Sequence, residues 1–261
     1  MTGYGIFKKN RLWVDLKIGS NSALALVDTG TSTSVAPRKW MIGETITRYQ
    51  DVLTEFRKKR LPVVTANEAV VRGRVFENRE FLVSKARFPI IGNNVIFDED
   101  WVSLSRNGLF FGRAPADRPA LATVPLLASY RNESRSSGLR SVFLVLNIDG
   151  EDRKAFFDTG RAELLAGTSH LERSAQGRPP KLDLHFNTVG QWGISRYTTR
   201  RATIRIGDCS FEQKYSHSLN DQNVDAPFVV GASILSRFDI MLCVDEGHAL
   251  FYPEGAFQLG G

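Results

Sequence analysis

The feature that most constrains the fold of this chain is an internal repeat. Residues 12–37 align with residues 142–167 without a gap, at a constant offset of 130 positions. Apolar residues at every second position of one segment fall on apolar residues of the other: Val14 on Leu144, Leu16 on Leu146 and Ile18 on Ile148. A repeat of this length indicates that one structural unit occurs twice, so the chain is predicted to fold as two similar halves.

A second shared block lies later in each half. It consists of two apolar residues and a glycine, Ile90-Ile91-Gly92 in the first half and Val229-Val230-Gly231 in the second. Each block is followed by an alternating strand, a turn and a closing strand. The repeated order predicts one domain over 1–113 and another over 141–261. A linker at 114–140, with a short bridging strand at 124–127, would join them.

Most of the chain reads as strand. Apolar residues alternate with polar ones, for example at Ala202, Ile204 and Ile206, which is typical of half-buried strands. Helical pattern is confined to 41–56, where one helix is expected, and to a short turn at 232–237. The sequence therefore predicts an all-β protein with two β-rich lobes.

Composition excludes several other classes of protein. With 42% hydrophobic and 24% charged residues, the chain is globular rather than disordered or fibrous. The net charge of +6 comes from scattered basic residues, and the longest cluster is Lys58-Lys59-Arg60, so no nucleic-acid partner is expected. No apolar run approaches the roughly eighteen residues of a membrane span, so no membrane association is expected.

The cysteines and histidines point to neither a disulfide framework nor a metal. Cys209 and Cys243 are too few for a framework; they form one bridge or remain reduced thiols. No cysteine or histidine shows metal-ligand spacing, so no metal is expected. The first ten residues lack the apolar core of a secretory signal, which favours an intracellular protein.

The most informative residues for function are two tripeptides, Asp28-Thr29-Gly30 and Asp158-Thr159-Gly160. A single Asp-Thr-Gly is an ordinary turn, because Asp and Thr accept backbone hydrogen bonds and Gly permits positive φ. Here both halves carry the tripeptide after the same apolar strand. A pure turn in each half remains one interpretation, and a paired site is the other.

A paired site would be a carboxylate dyad. Two carboxylates about 3 Å apart cannot both ionise, so they share a proton. One then draws a proton from water while the other protonates a carbonyl oxygen, which hydrolyses an amide. Thr can brace the opposite loop, and Gly permits close backbone approach. The predicted catalytic residues are Asp28 and Asp158, and the predicted dyad-supporting residues are Thr29, Gly30, Thr31, Thr159 and Gly160.

With these motifs, residues 12–252 resemble the aspartic proteases, in which two Asp-Thr-Gly loops form the active site. The duplicated layout is similar to the pepsin-like branch, and the compact halves, with residues 228–238, are similar to retropepsin-like proteases. The resemblance implies a bilobal all-β fold: two β-barrel lobes related by a pseudo-twofold axis, with the active-site cleft between them. It also implies an aspartic endopeptidase that needs no cofactor, acts as a monomer and binds a peptide or protein substrate in the cleft.

The second loop departs from the family pattern at Arg161, where a small residue is usual. A guanidinium against Asp158 would hold that carboxylate ionised and oppose proton sharing. We expect Arg161 to point outward, paired with Glu163, because a buried unpaired Arg is costly.

The hairpin that covers the cleft in pepsin-like members is the second departure. The corresponding stretch, 61–75, has no Tyr, and its tip is expected at Ala66-Asn67-Glu68. Trp192 either covers the cleft from the other half or is an ordinary packed aromatic. The departures leave two alternatives to a protease: a catalytically weak or inactive binding protein on the same fold, and an assembly module derived from a retrotransposon-like polyprotein.

Overall fold

The computed structural model describes residues 5–53, 58–130, 139–168, 181–186, 192–218 and 225–257; at 53, 181–186 and 192–196 only the backbone is described. Strands make up 64% of the structure and helices 6%, which confirms the prediction of an all-β protein. The strands form two large sheets. Within the described ranges, no helix is both long and apolar enough to cross a membrane.

The first part of the chain contributes ten described strands. They are β1 (Ile6–Lys8), β2 (Arg11–Ile18), β3 (Asn21–Val27), β4 (Val35–Pro37), β5 (Ile46–Leu53), β6 (Lys58–Val71), β7 (Arg74–Ser84), β8 (Ile90–Ile91), β9 (Trp101–Ser105) and β10 (Gly108–Phe111). A 3-10 turn at Arg38–Trp40 follows β4, and the one-turn helix α1 (Asn93–Ile96) follows β8.

The second part contributes ten more described strands. They are β11 (Ala122–Tyr130), β12 (Leu139–Ile148), β13 (Glu151–Asp158), β14 (Leu165–Gly167), β15 (Lys181–Phe186), β16 (Trp192–Ile206), β17 (Cys209–Ser218), β18 (Phe228–Gly231), β19 (Phe238–Cys243) and β20 (His248–Pro253). A 3-10 turn at Ala232–Ser236 follows β18, as α1 follows β8, which confirms the short turn predicted at 232–237.

Both parts of the chain use the same strand order. The first sheet runs β1-β2-β3-β8-β4-β7-β6-β5, and the second contains the run β11-β12-β13-β18-β14-β17-β16-β15. Each strand number in the second run is ten higher than its equivalent in the first. The extra pairings, β2 with β6 and β12 with β16, are equivalent too. The repeat seen in the sequence is therefore a repeat of the whole topology.

Strands from both halves of the chain share one sheet. β9 pairs with β19, with Leu104 opposite Ile240, and β11 pairs with both β20 and β12. The bridging strand predicted at 124–127 is thus confirmed and is longer, as β11. The division into domains at 1–113 and 141–261 with a linker at 114–140 remains a prediction. Strands from both predicted domains lie in the same twelve-stranded sheet.

The apolar faces predicted from alternation are buried. Val14, Leu16 and Ile18 of β2 are at most 6% exposed, and their equivalents in β12 are at most 1% exposed. Burying one such side chain contributes about 1.5–3 kcal/mol relative to leaving it in water. These residues belong to a core cluster that includes residues from both parts of the chain, so the packing of the two parts is continuous.

Two sequence-based expectations are corrected here. The helix expected at 41–56 is wrong, because Ile46–Leu53 is strand β5 and pairs along β6. Its β-branched and aromatic residues suit a strand, and pairing with β6 outweighs a weak local helical pattern. Cys209 and Cys243 are both free thiols, so the single-bridge alternative does not hold.

Candidate active site

The first Asp loop is held by the block that contains Gly92. β3 runs parallel to β8, with Val27 opposite Ile91, and the N–H of Asp28 donates to the Ile91 carbonyl at 3.0 Å. Just past the block, the N–H of Asn93 donates to the carbonyl of Thr31 at 2.8 Å. The chain therefore leaves β3, turns at the Asp loop and lies directly against the segment that follows β8.

The second Asp loop repeats this arrangement. β13 runs parallel to β18, and Asp158 itself lies opposite Gly231. The N–H of Ala232 donates to the carbonyl of Arg161 at 2.8 Å, which is the equivalent of the Asn93–Thr31 bond. Both Asp loops thus have the same backbone support, and the two apolar-apolar-Gly blocks are part of it.

A glycine is required at position 231 because a side chain would not fit there, and not because the backbone conformation demands one. Gly231 has an extended backbone with φ of −102°, which any residue adopts. A methyl group there would overlap the carbonyl oxygen of Glu163 and lie 2.7 Å from that of Arg161. Both obstacles are backbone atoms of the Asp158 loop, so they cannot move without moving the loop.

We therefore expect Gly231→Ala to lower the free energy of unfolding by about 3 kcal/mol, the upper end of the usual cost of overpacking. Urea unfolding of both proteins measures the difference. Gly255→Ala is the control, because Gly255 has positive φ but nothing within 4 Å of the added methyl. It should cost about 1–2 kcal/mol from backbone strain alone. An equal loss in the free energy of unfolding for the two variants would contradict the inference that a methyl group does not fit at position 231.

Two buried threonines connect the Asp loops to each other. The N–H of Thr29 donates to Thr159 Oγ1, and the N–H of Thr159 donates to Thr29 Oγ1, both at 3.1 Å. The Thr29 hydroxyl donates to the carbonyl of Phe157 at 2.7 Å, and the Thr159 hydroxyl donates to that of Val27 at 2.8 Å. Each hydroxyl thus satisfies a buried N–H and a buried carbonyl of the opposite half.

Each loop glycine lies against the carboxyl group of the opposite loop. A methyl group on Gly30 would lie 2.5 Å from Asp158 Oδ1, and one on Gly160 would lie 2.5 Å from Asp28 Cγ. Each glycine N–H also donates to the Oδ1 of its own Asp, at 2.9 Å in the first loop and 3.0 Å in the second. Because neither glycine has a side chain, the two carboxyl groups can approach each other.

The carboxyl groups differ in burial. Asp28 is buried, with 5% of the residue exposed, whereas Asp158 is half-buried. The pKa of Asp28 is raised well above its ordinary value, mainly by burial, then by the negative charge of Asp158 and by the hydrogen bond between the two side chains. The N–H of Gly30 and the charge of Arg11 lower this pKa by smaller amounts. The pair therefore favours holding a proton between its members.

This raised pKa has a consequence for stability. A carboxyl group that is protonated more readily in the folded state stabilises the protein below its unfolded pKa, and that contribution is lost as the pH rises toward its folded pKa. We expect Asp28→Asn, which removes the titration, to be more stable than the natural protein at pH 7. The difference should shrink as the pH falls toward 4, and each kcal/mol corresponds to about 2–4 °C in Tm.

Thermal unfolding of both proteins between pH 4 and pH 7 measures this effect. Burial also raises the pKa of Asp239, but both proteins contain that residue, so its contribution cancels in the difference. Asp100→Asn, at an exposed position, is the matched control and should show no such trend. A Tm difference for Asp28→Asn that is constant over this pH range would contradict the expectation.

The predicted outward orientation of Arg161 is wrong. Its Nε lies 3.9 Å from Asp158 Oδ2, and the side chain is only 23% exposed. The cost assumed for a buried unpaired Arg does not arise, because Asp158 itself is the ion-pair partner. The positive charge of Arg161, which distinguishes the second Asp loop from the first, therefore lies toward the Asp28–Asp158 pair.

The predicted residues of the cleft-covering hairpin lie elsewhere. Ala66, Asn67 and Glu68 are in the middle of β6, where Ala66 pairs with Arg79 of β7, so the predicted tip is wrong. The β6–β7 turn is at 72–73, where both residues have positive φ. A second hairpin, β5–β6, precedes it, and its connection at 54–57 lies outside the described residues.

The β5–β6 hairpin contacts the segment that follows the first Asp loop. Gln50 of β5 donates from Nε2 to Thr33 Oγ1 at 3.5 Å. This hairpin also carries a tyrosine, Tyr49, which is 54% exposed. In the second half the equivalent hairpin is β15–β16. Trp192 is its first β16 residue and pairs with Phe186 through the backbone, whereas its side chain lies outside the described part of the structure.

Two residues of the site, Arg11 and Asn93, were not identified from the sequence, and the supporting role of Thr31 stays a prediction. Arg11 donates from Nε to the carbonyl of Gly160 at 3.1 Å, and Asn93 donates from Nδ2 to the carbonyl of Thr29 at 3.1 Å. Asn93 directly follows the Gly92 block, which was a usable signal; nothing local marks Arg11. Thr31, predicted to support the dyad, has its methyl near Gly92, and its N–H donates to the Asp28 carbonyl at 3.3 Å.

No family model matches the chain, and no curated protein matches it. Any functional assignment therefore has to come from the geometry and chemistry of the site. Among the described residues, no group of three or more His, Cys, Asp or Glu side chains is placed to hold a metal ion. What the site offers is a pair of facing carboxyl groups, one deeply buried, in two loops that brace each other.

Proposed function

We propose that this protein is an aspartic endopeptidase on a bilobal aspartic-protease-like fold. The observation that carries the proposal is the mutual packing of the Asp loops, in which the glycine of each loop lies against the carboxyl group of the other. A turn that only connected two segments of its own half would not need its glycine to lie against the carboxyl group of the other loop. The repeated strand order on both sides of the loops supports the bilobal fold.

The proposed reaction is hydrolysis of a peptide bond by water. One carboxylate of the Asp28–Asp158 pair takes a proton from a water molecule, and the other carboxyl group donates a proton to the substrate carbonyl oxygen. The raised pKa of Asp28 supports this division, because a buried carboxyl group stays protonated at a pH where an ordinary one has ionised. This chemistry uses only side chains of the chain itself.

The substrate that we propose is an extended peptide, because the free edges of the two sheets can pair with its main chain. β5 and β15 are the terminal strands in the order of their sheets, so each has one edge without a partner strand in the described structure. An edge of this kind pairs with the main chain of an extended segment. The contact of Gln50 with Thr33 keeps the β5 hairpin close to the Asp28 loop, where such a segment would reach the dyad.

The second candidate function is a binding or assembly module with a weak or inactive site. The observation that favours it is the 3.9 Å approach of Arg161 to Asp158, because a cation there stabilises the ionised carboxylate. Incubation with a mixed peptide library, with and without a statine-type transition-state mimic, separates the two functions. Cleavage that the mimic inhibits supports the endopeptidase. Binding of the mimic without cleavage at any pH from 3 to 8 supports the binding module.

A further inference from the structure

The two Asp loops make equivalent backbone hydrogen bonds to their own carboxyl groups and to each other. The glycine N–H bonds to the Asp28 and Asp158 carboxyl groups differ by 0.1 Å, at 2.9 and 3.0 Å. The two hydrogen bonds that cross between Thr29 and Thr159 have the same length, 3.1 Å. Any difference in proton affinity between the two Asp residues must therefore come from burial and from nearby side chains.

The nearby charges are distributed unequally. Thr31 follows Gly30 in the first loop, whereas Arg161 follows Gly160 at the equivalent position of the second. The Arg161 guanidinium lies 3.9 Å from Asp158, and a second cation, Arg11 of β2, donates to the Gly160 carbonyl at 3.1 Å. Both cations thus contact the loop that carries Asp158, but the charge of Arg11 also lowers the pKa of Asp28, so the inequality comes from Arg161.

Building on the proposed protease function, we propose that Arg161 is a positioning residue that assigns the two roles within the dyad. It keeps the negative charge on Asp158 and leaves the shared proton on Asp28. Asp158 is then the base that activates water, and Asp28 is the acid that protonates the substrate carbonyl. The lower exposure of Asp28 acts in the same direction, because burial disfavours its charged form.

The proposed assignment gives a balanced reaction. A proton of water passes to Asp158 while the water oxygen forms a bond to the carbonyl carbon; the carbonyl π pair moves to the carbonyl oxygen, which takes the proton of Asp28. Asp158 then carries the proton and Asp28 the charge. In the second step the amide nitrogen takes the proton of Asp158, the C–N bond breaks, and one hydroxyl group returns a proton to Asp28 as the carboxylic acid forms.

Among the residues that the structure describes, charged groups on three elements face the Asp158 carboxyl group or its loop. They are Asp28 from the first loop, Arg161 from the second loop and Arg11 from β2. The strand packed beside the loop, β18, presents the uncharged Val230 and Gly231. Glu163 of the same loop is exposed and contributes its backbone carbonyl to the contact with Gly231. Arg161 is the ion-pair partner of Asp158 among them, which makes it the residue to change.

The location of the proton can be measured by NMR on protein labelled with 13C at aspartate carboxyl carbons. Asp28→Asn and Asp158→Asn assign the two resonances. At pH 6 the natural protein should show a carboxylic-acid signal for Asp28 and a carboxylate signal for Asp158. In Arg161→Thr, which reproduces the Thr of the first loop, the two signals should become more alike, whereas Arg161→Lys, which keeps the charge, should preserve the difference.

The pH–rate profile provides a second measurement. Arg161 stabilises the singly charged dyad relative to the doubly protonated one, so its removal should raise the pH of the acid limb of kcat/KM by about one unit. Arg161→Lys should keep the limb in place. Arg161→Gln is a second charge-removing variant and should match Arg161→Thr, so the test does not depend on the folding of one variant.

These measurements separate the inference from the proposed function. The NMR experiment needs no turnover, so an inactive natural protein would count against the protease while the proton could still be located. The inference is overturned if the natural protein carries the proton on Asp158 or equally on both residues. It is also overturned if the charge-removing variants leave both the carboxyl signals and the acid limb unchanged.

Discussion

Under the proposed endopeptidase function, replacing either Asp28 or Asp158 with Asn is expected to reduce peptide cleavage by about a thousandfold or more. An amide neither accepts the proton of water nor supplies one to a carbonyl oxygen, so each single change removes one half of the acid–base pair. The double variant should be no less active than either single variant, because the two groups act as a unit. Cleavage of a fluorogenic peptide at the optimal pH of the natural protein measures the loss.

The loss should not come from unfolding. Asn is nearly isosteric with Asp and can still accept the glycine N–H of its own loop, at 2.9 Å for Asp28 and 3.0 Å for Asp158. Melting curves of the variants should therefore be cooperative. Asp100→Asn makes the same chemical change at an exposed position and should keep full activity. Cleavage retained by either dyad variant would rule out the shared-proton mechanism.

Removing a threonine hydroxyl between the two loops should cause the largest loss of stability. Thr29→Val leaves the N–H of Thr159 and the carbonyl of Phe157 without their hydrogen-bond partner, at a place where Thr29 and Thr159 are 0% exposed. A buried unsatisfied group costs about 1–3 kcal/mol, so we expect a total of about 2–5 kcal/mol. The corresponding fall in Tm is on the order of 10 °C. Thr159→Val should behave alike, because its bonds are equivalent.

Urea unfolding at pH 6 measures these losses, and two further variants control them. Thr203→Val makes the same substitution at an exposed position of β16 and should change stability by less than about 0.5 kcal/mol. Thr29→Ser keeps the hydroxyl and should recover most of the loss. A loss for Thr29→Val no larger than that for Thr203→Val would show that the cross-loop bonds contribute little.

Much of this molecule was predictable because its signals are local and occur twice. Alternation at Val14, Leu16 and Ile18 identifies the buried face of β2, since neighbouring side chains on a strand point to opposite faces. The Asp-Thr-Gly turns and the Gly92 and Gly231 blocks are short patterns of the same kind. Their recurrence in the same order, at an offset of 130 positions for the Asp-Thr-Gly turns and 139 for the glycine blocks, predicted both the repeated topology and the pairing of the Asp loops, whereas a single copy would have predicted neither.

The tertiary structure decided what depends on contacts between distant residues. Residues 46–53 form a strand because they pair with β6. The hairpin tip was predicted at 66–68, within β6, because the local sequence does not show how far β6 and β7 pair before the chain turns. The direction of Arg161 depends on Asp158, whose carboxyl group is placed by the opposite loop, and Arg11 reaches Gly160 from 149 residues away. The sequence by itself identified the two Asp residues of the site and the Thr and Gly residues that follow them. Only the packing of the two Asp loops determined which charged side chain lies beside which carboxyl group. The reason is that electrostatic attraction depends on the distance between charges in space and not on their separation along the chain.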